Sequence, residues 1–142
     1  LCLHREEGSY PIKAFMVDKG MRRPLGISAV GVAMLALMPD EAVDHVYACN
    51  AREYERLGVA LPQLKRLVVR TRKAGFSEMT HFRGEEARGV GRAFHLTQHS
   101  LAGISIAAIN SRMPPQRMAE LGAQLAGELA SLAWKPRRGA TA

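Results

Sequence analysis

The chain has 142 residues against roughly 150 for a typical domain, which makes one compact domain the expectation and excludes a large multidomain enzyme. With 47% hydrophobic and 23% charged residues it is too apolar for a disordered chain, and its longest apolar run, Gly26 to Pro39, falls short of the ~18 residues needed to cross a bilayer. Twenty Lys and Arg against thirteen Asp and Glu give a net charge of +7, which suits nucleic acid, an anionic membrane surface or an anionic ligand.

In chain order, Leu1 to Val17 reads as a β-hairpin: Leu1 and Leu3 alternate with Cys2 and His4, a Glu6 to Ser9 loop follows, and Pro11 to Val17 alternates again. A polar connector, Asp18 to Pro24, leads to Ser28, which sits where a helix N-cap belongs. Ala29 to Met38 is apolar on every side, so that helix should be enclosed. Pro39 stops it, Asp40 caps a second helix with Val43, Val46 and Tyr47 on one stripe, and that helix ends near Asn50. Pro62 opens a third helix, with Leu64, Leu67 and Val68 inward and Gly75 as its left-handed stop. Its cations Lys65, Arg66, Arg70, Arg72 and Lys73 form a basic outer side, read first as a solvated surface.

Phe76 to Thr80 is a short strand, Arg83 to Arg88 a polar loop, and Val90 to Thr97 an alternating strand with a turn at Gln98, His99 and Ser100. From Leu101 to Ile109, Ile104, Ile106 and Ala108 share one side and Gly103, Ser105 and Ala107 the other, which is nearly bare. Small side chains there either admit a closely packed helix or leave a cavity. Pro114 and Pro115 open a last helix with Met118, Leu121, Leu125, Leu129 and Leu132 on one stripe, and residues 135–142 form a loose basic tail.

Little in this pattern resembles catalytic machinery. Two cysteines, Cys2 and Cys49, are too few for a disulfide framework or a structural zinc site, and favour a reducing, cytoplasmic setting. His95 and His99 have a helical metal spacing but fall across a strand and its turn. Gly89 and Gly91 lack the third glycine and the following helix of a dinucleotide loop. Glu85 and Glu86 are adjacent in a polar loop, and Cys49 stands near a helix end with no His expected beside it. No metal or cofactor is therefore expected. One binding feature remains: the Ser28 helix start, where the N–H groups of Ala29, Val30 and Gly31 either receive an anion or are capped by Ser28 itself.

The run Gly20, Met21, Arg22, Arg23, Pro24, Leu25, Gly26, with Ser28, Gly31 and Ala33, resembles the "G-x-R-x-P-L-H-x-S-x-x-G-K-A" segment of the effector-binding domain in the isocitrate lyase regulator (IclR) family of bacterial transcription factors. Arg72 to Phe76 is similar to that family's "R-x-x-G-Y" helix end. Gly89 and Val90 sit where its "G-V-R-C-I-A-A-P" strand begins. Ala102 to Ile106 with Ser111, Arg112 and Met113 resembles its "A-A-L-S-I-S-G-P-x-x-R-[IL]" strand and exit. The matches run in order from Leu1 to about Trp134.

The resemblance implies an α+β fold, a GAF-like twisted antiparallel sheet with helices packed on its faces, over residues 1–134. It implies a non-enzymatic ligand sensor whose DNA reader, an N-terminal winged helix-turn-helix, is absent from this chain. Leu1 is not an initiator Met and follows no basic or cleavage signal, so a piece of a longer protein is the expectation. The effector site implied by the resemblance and by the bare strand comprises Leu25, Gly26, Ile27, Ser28, Ala29, Val30, Met79, Arg92, Phe94, Ser105 and Ala107. A small organic carboxylate is the expected effector, with Ala29 and Val30 N–H, the Ser105 hydroxyl and Arg92 as its polar partners. The family pattern is altered at Gly26 for His, Val32 for Lys, Gly91-Arg92 for Arg-Cys, Ala107 for Ser and Met79 for Asp, so a relative's ligand need not fit. The further expectations are a homodimer or homotetramer, DNA contact only through the absent domain, and no membrane. The competing readings are a GAF-like small-molecule enzyme and a basic nucleic-acid-binding domain that uses the cationic helix.

Overall fold

A computed structural model describes residues 1–8, 17–80 and 87–131, and these residues form five α-helices and a three-stranded antiparallel sheet. The helices are α1 (Ala29–Leu37), α2 (Asp40–Cys49), α3 (Ala51–Arg56), α4 (Leu61–Ala74) and α5 (Pro115–Ser131). The strands are β1 (Ser77–Thr80), β2 (Ala87–Thr97) and β3 (Ser100–Ile109), in the order β1-β2-β3. The expected α+β class, an antiparallel sheet with helices on its faces, is what the chain adopts.

Register follows from the side-chain alternation. Ser77 pairs with Gly91 and Met79 with Gly89 across β1 and β2, while Gly89, Gly91 and Ala93 pair with Ala107, Ser105 and Gly103 across β2 and β3. These residues line the side of the sheet on which α1 lies. The apolar core on that side joins Ile27, Ala29, Val32 and Leu35 with Leu64 and Val68 of α4, Val43 and Tyr47 of α2, Tyr54 of α3 and Met79. On the other side, α5 packs Met118, Leu121 and Leu125 with Met113, Phe76 and Ala108 against Val90. The sheet thus separates two cores, because strand neighbours point to opposite faces.

The expected hairpin is not present in the described residues. Leu1 to Gly8 forms no strand; Cys2 instead donates its N–H to the Met21 carbonyl at 2.9 Å and accepts from Gly20 N–H at 2.8 Å. Of its second arm, only Val17 is described. Asp40 does not cap α2: Pro39 holds that position, and Asp40 begins the helix with its carboxylate turned to Arg72. The short helix α3 has no counterpart in the sequence reading, since six residues with one buried position, Tyr54, give no periodic stripe. Strand β2 starts at Ala87, inside the expected Arg83 to Arg88 loop, and β3 starts at Ser100, which was expected in the turn. Glu85, Glu86, Leu132 and the tail 135–142 lie outside the described residues.

Candidate functional site

The Leu25 to Gly31 segment is built by close approach. Gly26 has φ +92, a left-handed value that suits glycine, and a Cβ there would lie 2.8 Å from the Leu64 side chain. A Cβ on Gly31 would lie 2.9 Å from Gly26 N. The two glycines therefore let the loop fold onto the first turn of α1. Tyr54 holds the loop from outside, donating its hydroxyl to the Leu25 carbonyl at 2.7 Å. Burial, with a smaller contribution from Tyr47, pushes the Tyr54 phenol up to about 12.

Ser28 acts as the N-cap: its Oγ accepts from Gly31 N–H at 3.2 Å. Of the three N–H groups open in the sequence reading, that of Gly31 is thus occupied within the helix. The next contact is with the sheet. Gly91 has so little room that a Cβ would lie 2.5 Å from the Ala29 carbonyl carbon and 2.6 Å from Val30 N. Gly103 is similarly pressed, with the Val30 side chain 2.5 Å from where its Cβ would be. Ser77, fully buried, completes the seam by donating its hydroxyl to the Ala29 carbonyl at 2.6 Å. Of the two readings of the bare strand, close helix packing holds at Gly103, as it does at Gly91 of the neighbouring β2, while Ser105 and Ala107 further along β3 are exposed.

Leu25, Gly26, Ile27, Ser28, Ala29, Val30 and Met79 come together around this seam, with Ile27, Ala29 and Met79 inside the core itself. Ser105 and Ala107 border it on the same side of the sheet, across from Gly91 and Gly89. Arg92 and Phe94 do not join them. Alternation from Gly91 puts both on the α5 side with Val90, where they pair with Ile104 and Ala102 of β3. The Arg92 guanidinium runs toward Gly75, with Nη1 3.5 Å from where a Gly75 Cβ would stand.

A cavity of about 190 Å³ lies toward the opposite end of α1, lined by Ala33, Ala36, Leu37, Thr71, Arg72, Gly75 and Ala93. Among the described residues, the buried Thr71 hydroxyl there has no hydrogen-bond partner. The sequence did not single out Ser77, Tyr54 or this cavity, and it marked Gly91 only as half of an incomplete glycine loop and as a departure from the family pattern. The glycine alternation of β2, matched to that of β3, was the one available signal for the seam.

The expectation that Cys49 has no histidine beside it is incorrect: His45 Nε2 lies 3.4 Å from Cys49 Sγ, one turn away on α2. Both side chains are exposed on α2, apart from the α1 seam. Among the described residues no three His, Cys, Asp or Glu side chains are grouped to hold a metal ion. No helix of these residues is long and apolar enough to cross a membrane.

No protein-family model matches the sequence, and no curated protein matches it. Solved structures do match the fold. An IclR family transcriptional regulator from Brucella abortus shares 17% identity at a TM-score of 0.67, over 84% of this chain and 47% of its own. The Thermotoga maritima IclR shares 20% identity at a TM-score of 0.71, over 92% of this chain and 53% of that one. The effector domain of the IclR regulator from Acinetobacter sp. ADP1 shares 17% identity at a TM-score of 0.72, over 91% and 76%. The chain thus spans about half the length of the full regulators. The Brucella protein is named as a transcriptional regulator and the Acinetobacter domain as part of one. At these identities the likeness defines architecture, and the chain has the fold of the effector domains of IclR-family transcriptional regulators.

Proposed function

We propose that this chain is the ligand-sensing, non-enzymatic part of a cytoplasmic DNA-binding regulator. The observation that carries the reading is the likeness to an isolated effector domain over nine-tenths of the chain, 91% at a TM-score of 0.72. A small organic acid is its effector. Binding favours one arrangement of subunits over another and so alters operator affinity through a DNA reader outside this chain.

The effector approaches the first turn of α1 from β3. The β2 side is closed, because Gly91 lies directly against Ala29 and Val30. The β3 side is bordered by the exposed Ser105 and Ala107. There the Ser105 hydroxyl and the Val30 N–H bond the carboxylate, aided by the positive end of the helix. Ala29 N–H completes the set, and Leu25, Gly26, Ile27, Ser28 and Met79 shape the wall behind it. Arg92 and Phe94, on the opposite side of the sheet, take no part.

The test is a thermal-shift and calorimetry screen of aliphatic and aromatic acids, followed by variants. Ala107→Leu places a bulky side chain on the approach and should weaken any hit at least tenfold. Arg92→Ala should leave its affinity within about twofold. A hit that binds Ala107→Leu as tightly as the wild type would place the ligand elsewhere and overturn this site.

A further inference from the structure

The cations of α4 divide into two groups. Lys65 and Arg72, two turns apart, face α2, where Asp44 lies 3.9 Å from Lys65 Nζ and Asp40 2.6 Å from Arg72 Nη1. Arg66, Arg70 and Lys73 follow one another at i, i+4 and i+7, opposite the Leu64, Val68 and Thr71 stripe that enters the core. All three are exposed, and among the described residues none forms an ion pair. Arg70 donates one bond to the Glu78 carbonyl at 3.2 Å, which holds its guanidinium in place without cancelling its charge. The helix contains no acidic residue.

We propose that Arg66, Arg70 and Lys73 form a docking face for the phosphodiester backbone of duplex DNA, blind to base sequence. The three span seven residues, about 10 Å along the helix at ~1.5 Å per residue. Measured along the duplex axis, one strand of B-DNA carries about three phosphates over that distance, with ~3.4 Å of rise each. The chemistry favours duplex phosphate over the alternatives. A protein partner would need large apolar or aromatic anchors, and Val69, 51% exposed, is the one exposed large apolar side chain of α4. Single-stranded nucleic acid would need rings on which to stack bases, and α4 has none. This face is separate from the α1 site and works without an effector, so the two readings stand or fall independently.

The experiment titrates the 142-residue chain into a labelled duplex of arbitrary sequence and follows anisotropy between about 50 and 200 mM salt. Three neutralised phosphates correspond to a slope near −2.7 in log K against log salt, a loss of about 40-fold over that range. The triple variant R66Q/R70Q/K73Q should lose at least tenfold in affinity at the low-salt end and most of the slope. R66Q/K73Q, which spares the Arg70 bond to Glu78, should lose about two-thirds of the slope. Thermal unfolding of each variant checks that the fold is retained. A control, K19Q/R22Q/R52Q, removes the same charge from exposed positions elsewhere and should change affinity less than threefold. Equal loss in the control would reduce the effect to net charge and overturn the proposal. Absence of binding at low salt would overturn it too, as would tighter binding to polyglutamate than to the duplex, which would assign the face to an acidic protein.

Discussion

Tyr54 links an otherwise featureless short helix to the loop that starts α1. Its ring is buried at 3% exposure beside Tyr47, with centroids 6.4 Å apart, and its hydroxyl reaches the Leu25 carbonyl. Burial favours the neutral phenol, so the folded state holds its proton more tightly than the unfolded chain, at about 12 against 10. The sign follows directly: the contribution is complete below pH 10 and is lost as the pH rises from there toward 12. Tyr54→Phe should cost about 1 kcal/mol at neutral pH, the value of a neutral hydrogen bond. It should also flatten the alkaline decline in stability, measured by urea unfolding at several pH values. An equally steep decline in the variant would assign the alkaline sensitivity to another group.

The glycines differ in what they protect. At Gly91 a Cβ would strike the α1 backbone, whereas at Gly122 it would meet the Phe76 ring at 2.3 Å. A ring can turn away, but the first turn of a helix fixed by Ser28 and Ser77 cannot.

Among the elements, α1 and α4 share an apolar core and are tied at the end of α1 by one side chain. Arg72 extends from α4 to the end of α1, giving Nε to the Ala36 carbonyl at 3.2 Å and Nη2 to the Met38 carbonyl at 2.9 Å. Its Nη1 holds Asp40 at 2.6 Å. The last carbonyls of a helix have no partner within it, and a cation there also meets the negative end of its dipole. Arg72 therefore closes α1 and fixes the corner into α2, which accounts for an arginine before the Gly75 stop. Arg72→Ala should destabilise the fold by roughly 2 kcal/mol, discounted for the partial exposure of the pair. Arg72→Lys should recover little, since one ammonium cannot reproduce a planar fork. Chemical denaturation of both variants checks this, and full recovery by lysine would reduce the role to simple charge.

For the whole molecule, the described sheet ends at β3, a ten-residue strand without a charged side chain. Ile104 and Ile106 are 46% and 36% exposed on one side, and Ser105 and Ala107 are exposed on the other. On the function proposed above, the chain serves a regulator of paired half-sites, which works as a symmetric oligomer, and it should sediment as a dimer or larger at tens of micromolar. A single species of 15.5 kDa at that concentration would contradict the expected oligomer.

What the sequence determined by itself was local. The Ser28 cap, the Gly75 stop at φ +77 and the strand pattern of β2 and β3 are each encoded within a few residues, by one hydrogen bond, one dihedral or a two-residue period. The order of its motifs also pointed to the effector-domain fold. The tertiary structure alone decided which alternating sets share a side of the sheet, because register is a relation between strands distant in the chain. That relation puts Gly91 and Ser105 toward α1 and sends Arg92 and Phe94 to the α5 side. It likewise decided which α4 cations meet α2 carboxylates and which face outward, since helical spacing gives a side chain its direction but not its neighbour.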